Sequence, residues 1–416
     1  MQRGKSQELS RRDFVKGAAT AAAVVSSFPF VARGAAADRP LRVGLVGCGG
    51  RGSGAAHDVL AAAPKVQIIA LADVFKDRLD SCRAGLKDKA HMEVPEKNCF
   101  VGFDAYKKLV AMDEVDYVIL ATPPYYRPAQ LTACIDAGKH VFMEKPVAVD
   151  PVGIRRIIAA GEKAASKNLS IVAGTQRRHQ KSYIETIRRI QDGAIGDLVG
   201  GQVYWNGGAL WYRKREAGWA DMDWMIRDWV NWCWLSGDHI VEQHVHNIDV
   251  WNWAFGKPPE SVVAMGSRLR RKTGDQFDNF AADFTYPGDV HVMSMCRQIN
   301  GCDSNVSERI IGQKGISNCN GFISTVGKIE VDSPHPYVQE HADLIQAIRT
   351  GKPVNEARQV AESTLCAIMA RTSAYTGKPV TWEEIMKSDE EFGPPDYELT
   401  EENVRAHVPV PGTVQG

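Results

Sequence analysis

The 416-residue sequence predicts an α/β protein whose first domain contains a doubly wound parallel sheet. From Leu41 to about Thr175, short apolar runs alternate with helix-length segments, which is the order typical of parallel strands joined by crossover helices. The runs are apolar throughout, as expected of strands buried on both faces. We therefore predict strands over residues 41–46, 66–72, 116–121, 140–144 and 170–173.

Composition narrows the function classes. The chain has 50 Lys+Arg, 50 Asp+Glu and 44% hydrophobic residues, a balance typical of globular proteins. A neutral chain without a basic tract argues against a nucleic-acid partner. No apolar run reaches the ~18 residues that a membrane-spanning helix needs.

Residues 1–37 are predicted to be a signal peptide. They contain six Lys/Arg and two Asp/Glu, so this segment carries a net charge of +4 and the rest of the chain −4. An Ala-rich apolar stretch and Ala35-Ala36-Ala37 follow the basic part, as in exported proteins. Ser10-Arg11-Arg12-Asp13-Phe14-Val15-Lys16 resembles a twin-arginine signal. We expect export of the folded protein, with its cofactor already loaded, to the periplasm or another extracytoplasmic space; the alternative is an amphipathic N-terminal helix.

A glycine-rich loop directly follows the first predicted strand. Its sequence is Gly47-Cys48-Gly49-Gly50-Arg51-Gly52, a G-x-G-x-x-G pattern, and Asp73 stands 21 residues after Gly52. Such glycines let the backbone approach a pyrophosphate, and the acidic residue binds ribose hydroxyls. A carboxylate there would repel a 2′-phosphate, so NAD is favoured over NADP. The alternative is a glycine-rich turn with an N-capping Asp.

Two further strand ends carry motifs. Thr122-Pro123 follows the third predicted strand and Glu144-Lys145-Pro146 the fourth, at the edge where parallel sheets bind ligands. A Lys at this edge can polarise a substrate oxygen or relay a proton. The alternative for Lys145 is a surface residue paired with Glu144.

In this order, the glycine loop, the acidic strand end, Ala-Thr-Pro and Glu-Lys-Pro resemble the Gfo/Idh/MocA oxidoreductase family, from about Leu41 to Lys387. The resemblance implies a Rossmann domain (38–175) that binds the dinucleotide through the loop, Thr122, Pro123 and Glu144. It implies an α+β domain (176–391) with a mostly antiparallel, open-faced sheet that covers the nicotinamide and favours a homo-oligomer. We expect an extended tail over 392–416.

The second domain contains a segment rich in His and carboxylates, residues 238–249. If this segment is one helix, His239, Glu242, His246 and Asp249 fall within roughly 80° of one another. Glu242 would then lie one turn before His246 and could orient its imidazole. A metal held by His239, Glu242 and His246 is the competing hypothesis; we predict no metal.

The resemblance assigns roles to several of these residues. It implies that His246 is the general acid/base, that Lys145 works at the same hydroxyl, and that Arg178 and Asp249 contact the substrate. Glu242 stands where the family usually has Asp. Arg127 stands where it usually has His, which could add an anion-binding group.

Nine of the ten Trp lie between Trp205 and Trp253, interleaved with charged residues. Aromatic faces beside hydrogen-bonding groups suit a polyhydroxylated ring, so we expect Trp211, Tyr212 and Arg227 to bind substrate. A core loop or a subunit interface would have the same composition.

The remaining elements of the second domain are simpler to predict. We expect strands over 262–269, 281–286, 290–296 and 309–311, and helices over 339–349 and 357–375. The nine Cys have no C-x-x-C spacing and predict no disulfide framework or zinc site; Cys302 and Cys319 could form one pair.

The sequence thus predicts an oxidoreductase that transfers a hydride between a secondary hydroxyl of a sugar, glycoside or cyclitol and tightly held NAD. Outside the cytoplasm a dissociable cofactor would be lost, so it must be regenerated in place. Two alternatives stay open: an NAD-dependent glycosidase working through a keto-sugar, and a non-catalytic sugar- or nucleotide-binding protein.

Overall fold

The computed structural model describes residues 39–332 and 334–412. The predicted signal peptide over 1–37 lies outside the described residues. From Pro40 onward the chain forms one unit that contains two sheets. Among the described residues, no helix is both long and apolar enough to cross a bilayer.

The first sheet has six parallel strands in the order β3-β2-β1-β4-β5-β6. This is the doubly wound order of a dinucleotide-binding domain, so the predicted fold class is confirmed. The strands are β1 (Leu41–Val46), β2 (Val66–Asp73), β3 (Cys99–Val101), β4 (Tyr117–Leu120), β5 (His140–Met143) and β6 (Ile171–Ala173). Strand β3 is not among the predicted strands because it has only three residues, none of them fully buried.

Helices cover both faces of this sheet. Gly50 begins the first helix directly after the glycine loop. Asp150 caps the fifth, where its side chain accepts a 2.6 Å hydrogen bond from the Gly153 N–H. The five helices are α1 (Gly50–Ala62), α2 (Lys76–Ala90), α3 (Ala105–Val110), α4 (Arg127–Asp136) and α5 (Pro151–Ser166).

The second sheet has nine strands in the order β14-β13-β12-β11-β7-β10-β9-β8-β15. Among the described pairs only β7 and β10 run parallel, so the predicted mostly antiparallel sheet is confirmed. The strands are β7 (Leu198–Gly207), β8 (Ser261–Ser267), β9 (Asn279–Tyr286), β10 (Val290–Gln298), β11 (Asn305–Gly312), β12 (Ile316–Ser317), β13 (Phe322–Ile323), β14 (Gly327–Lys328) and β15 (Val380–Thr381). The central strand β7 escaped prediction because glycines interrupt its apolar pattern at 200 and 201.

The other helices belong to the part of the chain that follows the Rossmann domain. They are α6 (Lys181–Gln191), α7 (Asp221–Arg227), α8 (Cys233–Ser236), α9 (His239–Glu242), α10 (Val245–Phe255), α11 (Pro336–Thr350), α12 (Ala357–Thr376), α13 (Trp382–Lys387) and α14 (Glu401–Ala406). The later helices tie both sheets together. His341 of α11 bonds the buried Tyr117 hydroxyl of β4, while Ser373 of α12 accepts a hydrogen bond from the Ala264 N–H of β8.

The open face of the second sheet points away from the cofactor domain, contrary to the expectation that it covers the nicotinamide. Trp205 of β7 stacks on His246 of α10, so the helix-covered face is the one beside the site. The opposite face exposes Met265, Met293 and Met295. The reason is that α10 and α12 fill the space between the sheet and the Rossmann domain.

The C-terminal tail is not simply extended, which corrects the prediction for 392–416. Its described part contains α14, whose Thr400 cap accepts a hydrogen bond from Asn403 N–H. Phe392, Tyr397 and Leu399 pack on a core formed by the Trp-rich segment. The proline content predicts coil, but burial of the tail's apolar side chains against the Trp residues stabilises its packing on the second domain.

Close packing at Gly201 makes a testable prediction about β7. A Cβ added there would lie 2.4 Å from the Trp251 ring and 2.7 Å from the Arg309 carbonyl oxygen. Gly201→Ala should therefore lower the free energy of unfolding by about 1–3 kcal/mol. Gly207→Ala, on the same strand with open space at its Cβ, is the control and should change stability little. Equal denaturation midpoints for the two variants would contradict this packing.

Candidate active site

The glycine loop is shaped for close backbone approach. Gly47 has a φ of +95°, and a Cβ there would lie 2.7 Å from the backbone of Ala121 and Thr122. A Cβ on Gly52 would lie 1.8 Å from the Gly47 carbonyl oxygen, so α1 can pack on the loop only with glycine at this position. Gly49 and Gly50 face open space, which leaves the loop accessible to a pyrophosphate at the helix N-terminus.

Asp73 stands beside this loop at the end of β2. Its carboxylate accepts hydrogen bonds from the Cys48 N–H at 2.6 Å and the Phe75 N–H at 2.8 Å. Burial raises the pKa of Asp73, and these two N–H donors oppose that rise. The group is fixed at the cavity wall with acceptor capacity left for hydroxyl groups.

A cavity of about 460 Å³ runs from the glycine loop past Asp73, within the size range of small-molecule sites. Thr122, Pro123 and Gln130 line it on the side of β4, and Phe75 and Phe103 on the side of β2 and β3. The loop, the carboxylate and the cavity together fit a dinucleotide. The residues that would hold it are Gly47, Gly49, Gly50, Asp73, Thr122 and Pro123.

Lys145 lies at the end of β5 and reaches the second domain. Its Nζ donates to the Glu242 carbonyl oxygen at 2.5 Å and to Glu242 Oε1 at 3.1 Å. Both side chains are almost buried, with 13% and 9% exposed. Glu242 thus holds Lys145, rather than orienting His246 as its spacing suggested.

His246 is held by an aromatic ring instead. Its imidazole stacks on Trp205, with the ring centroids 5.6 Å apart and the planes 23° from parallel. Burial, and then the positive charges of Lys145 and Arg177, lower the pKa of His246 well below its usual value. The imidazole is therefore in its neutral form at neutral pH, with one ring nitrogen unprotonated.

The segment 238–249 is not one helix, which corrects the basis of the predicted cluster. Helix α9 ends at Glu242 and α10 begins at Val245. The His239 imidazole contacts the Asp238 carboxylate and the Phe280 ring. Asp238, at a φ of +74° and fully buried, also bonds the Tyr375 hydroxyl at 2.5 Å. These buried contacts fix the start of α9 and separate His239 from His246.

The competing metal hypothesis has no geometric support. Over residues 39–332 and 334–412, no group of three or more His, Cys, Asp or Glu is arranged to hold a metal ion. All nine Cys are free, with Cys302 exposed and Cys319 buried, so the considered pair between them does not form in this structure.

Arg178 and Asp249 face each other rather than an open substrate site. Arg178 Nε and Nη2 each donate a 2.8 Å hydrogen bond to Asp249, a bidentate pair whose side chains are 11% and 2% exposed. Asp249 also accepts from the Ser363 hydroxyl at 2.7 Å. This satisfied pair joins the short helix at 176–179 to α10 and α12.

Trp211, Tyr212 and Arg227, predicted to bind substrate, lie elsewhere. Trp211 and Arg227 line the wall of the cavity near Phe75 and Arg78. Tyr212 is partly exposed beneath the Lys272 ammonium group. The Trp-rich segment folds over the β2 side of the cavity, because its apolar rings pack on Val74 and Phe75.

Arg51 and Glu144 form a charged junction beneath the loop. Arg51 contacts the carboxylates of Glu144, Asp58 and Glu340. Glu144 also accepts a 3.1 Å hydrogen bond from the Lys145 N–H. The Arg51 guanidinium therefore binds carboxylates of the protein. Its pair with Glu144 joins the glycine loop to the end of β5.

Arg127 is buried, with 3% of its surface exposed, so it adds no anion-binding group. It donates from Nη2 to the Thr122 carbonyl at 2.6 Å and from Nη1 to the Pro146 carbonyl. Burial lowers the pKa of Arg127 to about 10, which leaves it charged at neutral pH. It cross-links the two strand-end motifs that carry Thr122 and Lys145.

Three residues missed by sequence reasoning belong to the site. Trp205 stacks on His246, Arg177 lies over the Trp205 ring, and Gln130 accepts a 2.6 Å hydrogen bond from the Thr122 hydroxyl. Trp205 lies on β7, so a prediction of that strand would have indicated it; the glycines at 200 and 201 hid the strand pattern.

Arg127 carries a prediction on stability. Arg127→Met leaves the Pro146 and Thr122 carbonyl groups without the donor that they share and should lower the free energy of unfolding by about 1–3 kcal/mol. Arg127→Lys keeps one donor but loses the fork geometry, so its denaturation midpoint should fall between those of the wild type and Arg127→Met. An Arg127→Met protein as stable as the wild type would show that the cross-link contributes nothing.

Comparison with known proteins places this geometry in a family. Residues 41–171 match the family model described as "Oxidoreductase family, NAD-binding Rossmann fold". Residues 183–317 match the "GFO/IDH/MocA C-terminal domain". The two models together span most of the described chain.

Curated relatives and solved structures agree with this match. The chain is 27% identical over 279 residues to the inositol 2-dehydrogenase of Rubrobacter xylanophilus, covering 66% of this chain and 70% of that protein. It is 26% identical over 282 residues to that of Acidothermus cellulolyticus, covering 67% and 73%.

Solved structures share the fold at low identity. Scyllo-inositol dehydrogenase from Lactobacillus casei, with bound NAD(H) and scyllo-inositol, has a TM-score of 0.64 at 21% identity over 83% of this chain and 100% of that one. Aldose-aldose oxidoreductase from Caulobacter crescentus has a TM-score of 0.65 at 19% identity over 82% and 100%. The chain, with its NAD-binding Rossmann domain and matching C-terminal domain, belongs to the Gfo/Idh/MocA oxidoreductase family.

Proposed function

We propose that this protein is an NAD-dependent dehydrogenase acting on a secondary hydroxyl of a cyclitol, sugar or glycoside. The observation that carries the proposal is the juxtaposition of Lys145, held by Glu242, with a buried and neutral His246 near the carboxyl edge of the Rossmann sheet. A purely binding protein needs no such proton acceptor beside a buried ammonium group.

The chemistry divides between the cofactor and the chain. When bound, NAD supplies the acceptor for the hydride that leaves the carbinol carbon. Neutral His246 accepts the hydroxyl proton, and its stack on Trp205 keeps the imidazole plane fixed. Lys145 Nζ donates a hydrogen bond to the same oxygen and stabilises the negative charge that develops there.

The relatives support the substrate class. Proteins named inositol 2-dehydrogenase match both domains of the chain over about two thirds of its length, and cyclitols and sugars share the secondary carbinol that this mechanism needs. Trp205 stacks on the His246 ring, and Arg177 lies over Trp205 while it pairs with the buried Glu308 carboxylate, so these two residues hold the imidazole in place for the substrate.

A panel assay on natively purified protein tests the proposal. Denaturing the protein should release NAD, which mass spectrometry detects. Cyclitols, free sugars and aryl glycosides are then screened with the native protein by absorbance near 340 nm. NADH formed or consumed without bond cleavage supports the dehydrogenase. Release of aglycone identifies the NAD-dependent glycosidase instead, and neither signal with any ligand class would overturn the proposal in favour of a binding protein.

Lys145 gives the sharpest mutational prediction. Lys145→Met should reduce turnover by roughly 10²–10⁴-fold while NAD binding is largely kept. Because this change leaves the Glu242 carboxylate buried without its cation, Lys145→Met with Glu242→Gln is the matched variant. This double variant should regain the stability that Lys145→Met loses, but its turnover should stay low. Lys352→Met, at an exposed position, is the control; wild-type turnover in Lys145→Met would exclude the assigned role.

Two further proposals concern location and assembly. We propose that residues 1–37 direct twin-arginine export, since their basic start, apolar stretch and Ala-rich end have the composition of such signals. We also propose a homo-oligomer, supported by the exposed Val263, Met265, Met293 and Met295 on the open sheet face.

A further inference from the structure

The Trp-rich segment of the second domain forms one wall of the cofactor cavity. We call residues 211–229 the aromatic cap. Trp211, Arg213, Ile226, Arg227 and Trp229 of the cap line the cavity. Phe75, Arg78, Gly102 and Phe103 of the Rossmann domain line the same cavity.

The cap is anchored on a separate apolar core. Met225, Ile226 and the following Trp232 and Trp234 are buried together with Val404 of the C-terminal tail. Val74 and Phe75, at the end of β2, pack against the same core. The cap is thus packed against the strand end that carries Asp73.

One ion pair joins the rim of the cap to the Rossmann domain. Arg227 Nη1 and Nη2 donate to the two carboxylate oxygens of Asp77 at 2.9 and 2.8 Å. The same guanidinium lies 3.8 Å from the centroid of the Phe75 ring and 4.9 Å from that of Trp219. Hydrogen bonding to Arg227 lowers the pKa of Asp77, so the pair stays charged at neutral pH.

The position of this pair determines what it can control. An acidic residue at the end of the second strand binds the adenosine ribose in this fold, so the cavity beyond Asp73 takes the adenosine half of the dinucleotide. Arg227 lines the cavity beside Phe75 and Arg78, and Asp77 pairs with it there. Lys145 and His246 lie outside the lining of this cavity.

We propose that the Arg227–Asp77 pair is a latch that holds the aromatic cap over the adenosine half of NAD and slows its release. The inference rests on the proposed NAD-dependent function and goes beyond it by assigning cofactor retention to named residues. It also gives Arg227 and Trp211 a role toward the cofactor in place of the sugar.

The test measures the rate of NADH release. Protein loaded with NADH is mixed with a large excess of a second NADH-consuming enzyme, and the loss of bound-NADH fluorescence is followed. Arg227→Gln and Asp77→Asn should each raise the release rate roughly 3- to 10-fold, the range expected for a partly exposed ion pair with a cation–π contact. Because Asp77 acts only through Arg227, the double variant should release NADH no faster than Arg227→Gln alone.

Ionic strength provides a second readout. Asp77 is 60% exposed, so salt should weaken the latch. The wild-type release rate should rise more steeply with added NaCl than that of Asp77→Asn, which lacks the ion pair.

The matched control is Arg358→Gln. Arg358 pairs with Glu162 at 2.7 Å and joins α12 to α5, an exposed ion pair between the same two domains but away from the cavity. Its release rate should equal that of the wild type. Circular dichroism melting verifies that every variant is folded, and Arg227→Lys should restore part of the retention.

The outcomes separate the two proposals. The latch would be overturned if Arg227→Gln and Asp77→Asn released NADH at the wild-type rate. It would also be overturned if Arg358→Gln raised the release rate as much as they do. Neither result would contradict the proposed dehydrogenase. A wild-type protein that binds no NADH would overturn the proposed function and the latch with it.

Discussion

The buried pair between Lys145 and Glu242 is the contact on which the site depends. Lys145 follows a strand end of the Rossmann sheet, and Glu242 is the last residue of α9 in the second domain. Removing one member of such a pair leaves a buried charge that costs about 3–5 kcal/mol. The two domains therefore hold the reactive ammonium group jointly, and its position is an internal property of their packing.

Other contacts around this pair serve the same end. Arg127 fixes the backbone on both sides of the strand ends, Glu144 joins Lys145 to the glycine loop through Arg51, and Trp205 fixes the plane of His246. In each of these contacts a side chain bonds or stacks within the protein, although its type and position in the sequence suggest a ligand contact. Preorganisation of this kind keeps donors in place before the substrate arrives.

Much of the fold could be predicted because it follows from local patterns. Apolar runs, the glycine loop and Asp73 lie close together in the chain, and backbone geometry converts each into a strand end or a turn. The start of α9 at His239 could not be predicted, since it depends on the buried Asp238, which accepts a hydrogen bond from the Tyr375 hydroxyl 137 positions away. Arg127, Arg178 and Asp249 failed as open ligand contacts for a related reason: spacing shows that charges are near a site, but not which charges neutralise each other.

The Trp-rich segment shows where composition alone is ambiguous. Aromatic and charged residues suit a sugar, a subunit interface or a cofactor equally well, because all three offer apolar faces with polar edges. What decides among them is the partner that each ring meets, and here that partner is the end of β2. If residues 1–37 direct export, as we propose, the protein leaves the cytoplasm with its cofactor and must retain it. Closing the adenosine end of the cavity, which takes no part in the hydride transfer, can slow cofactor loss without obstructing the end where substrate must enter and leave.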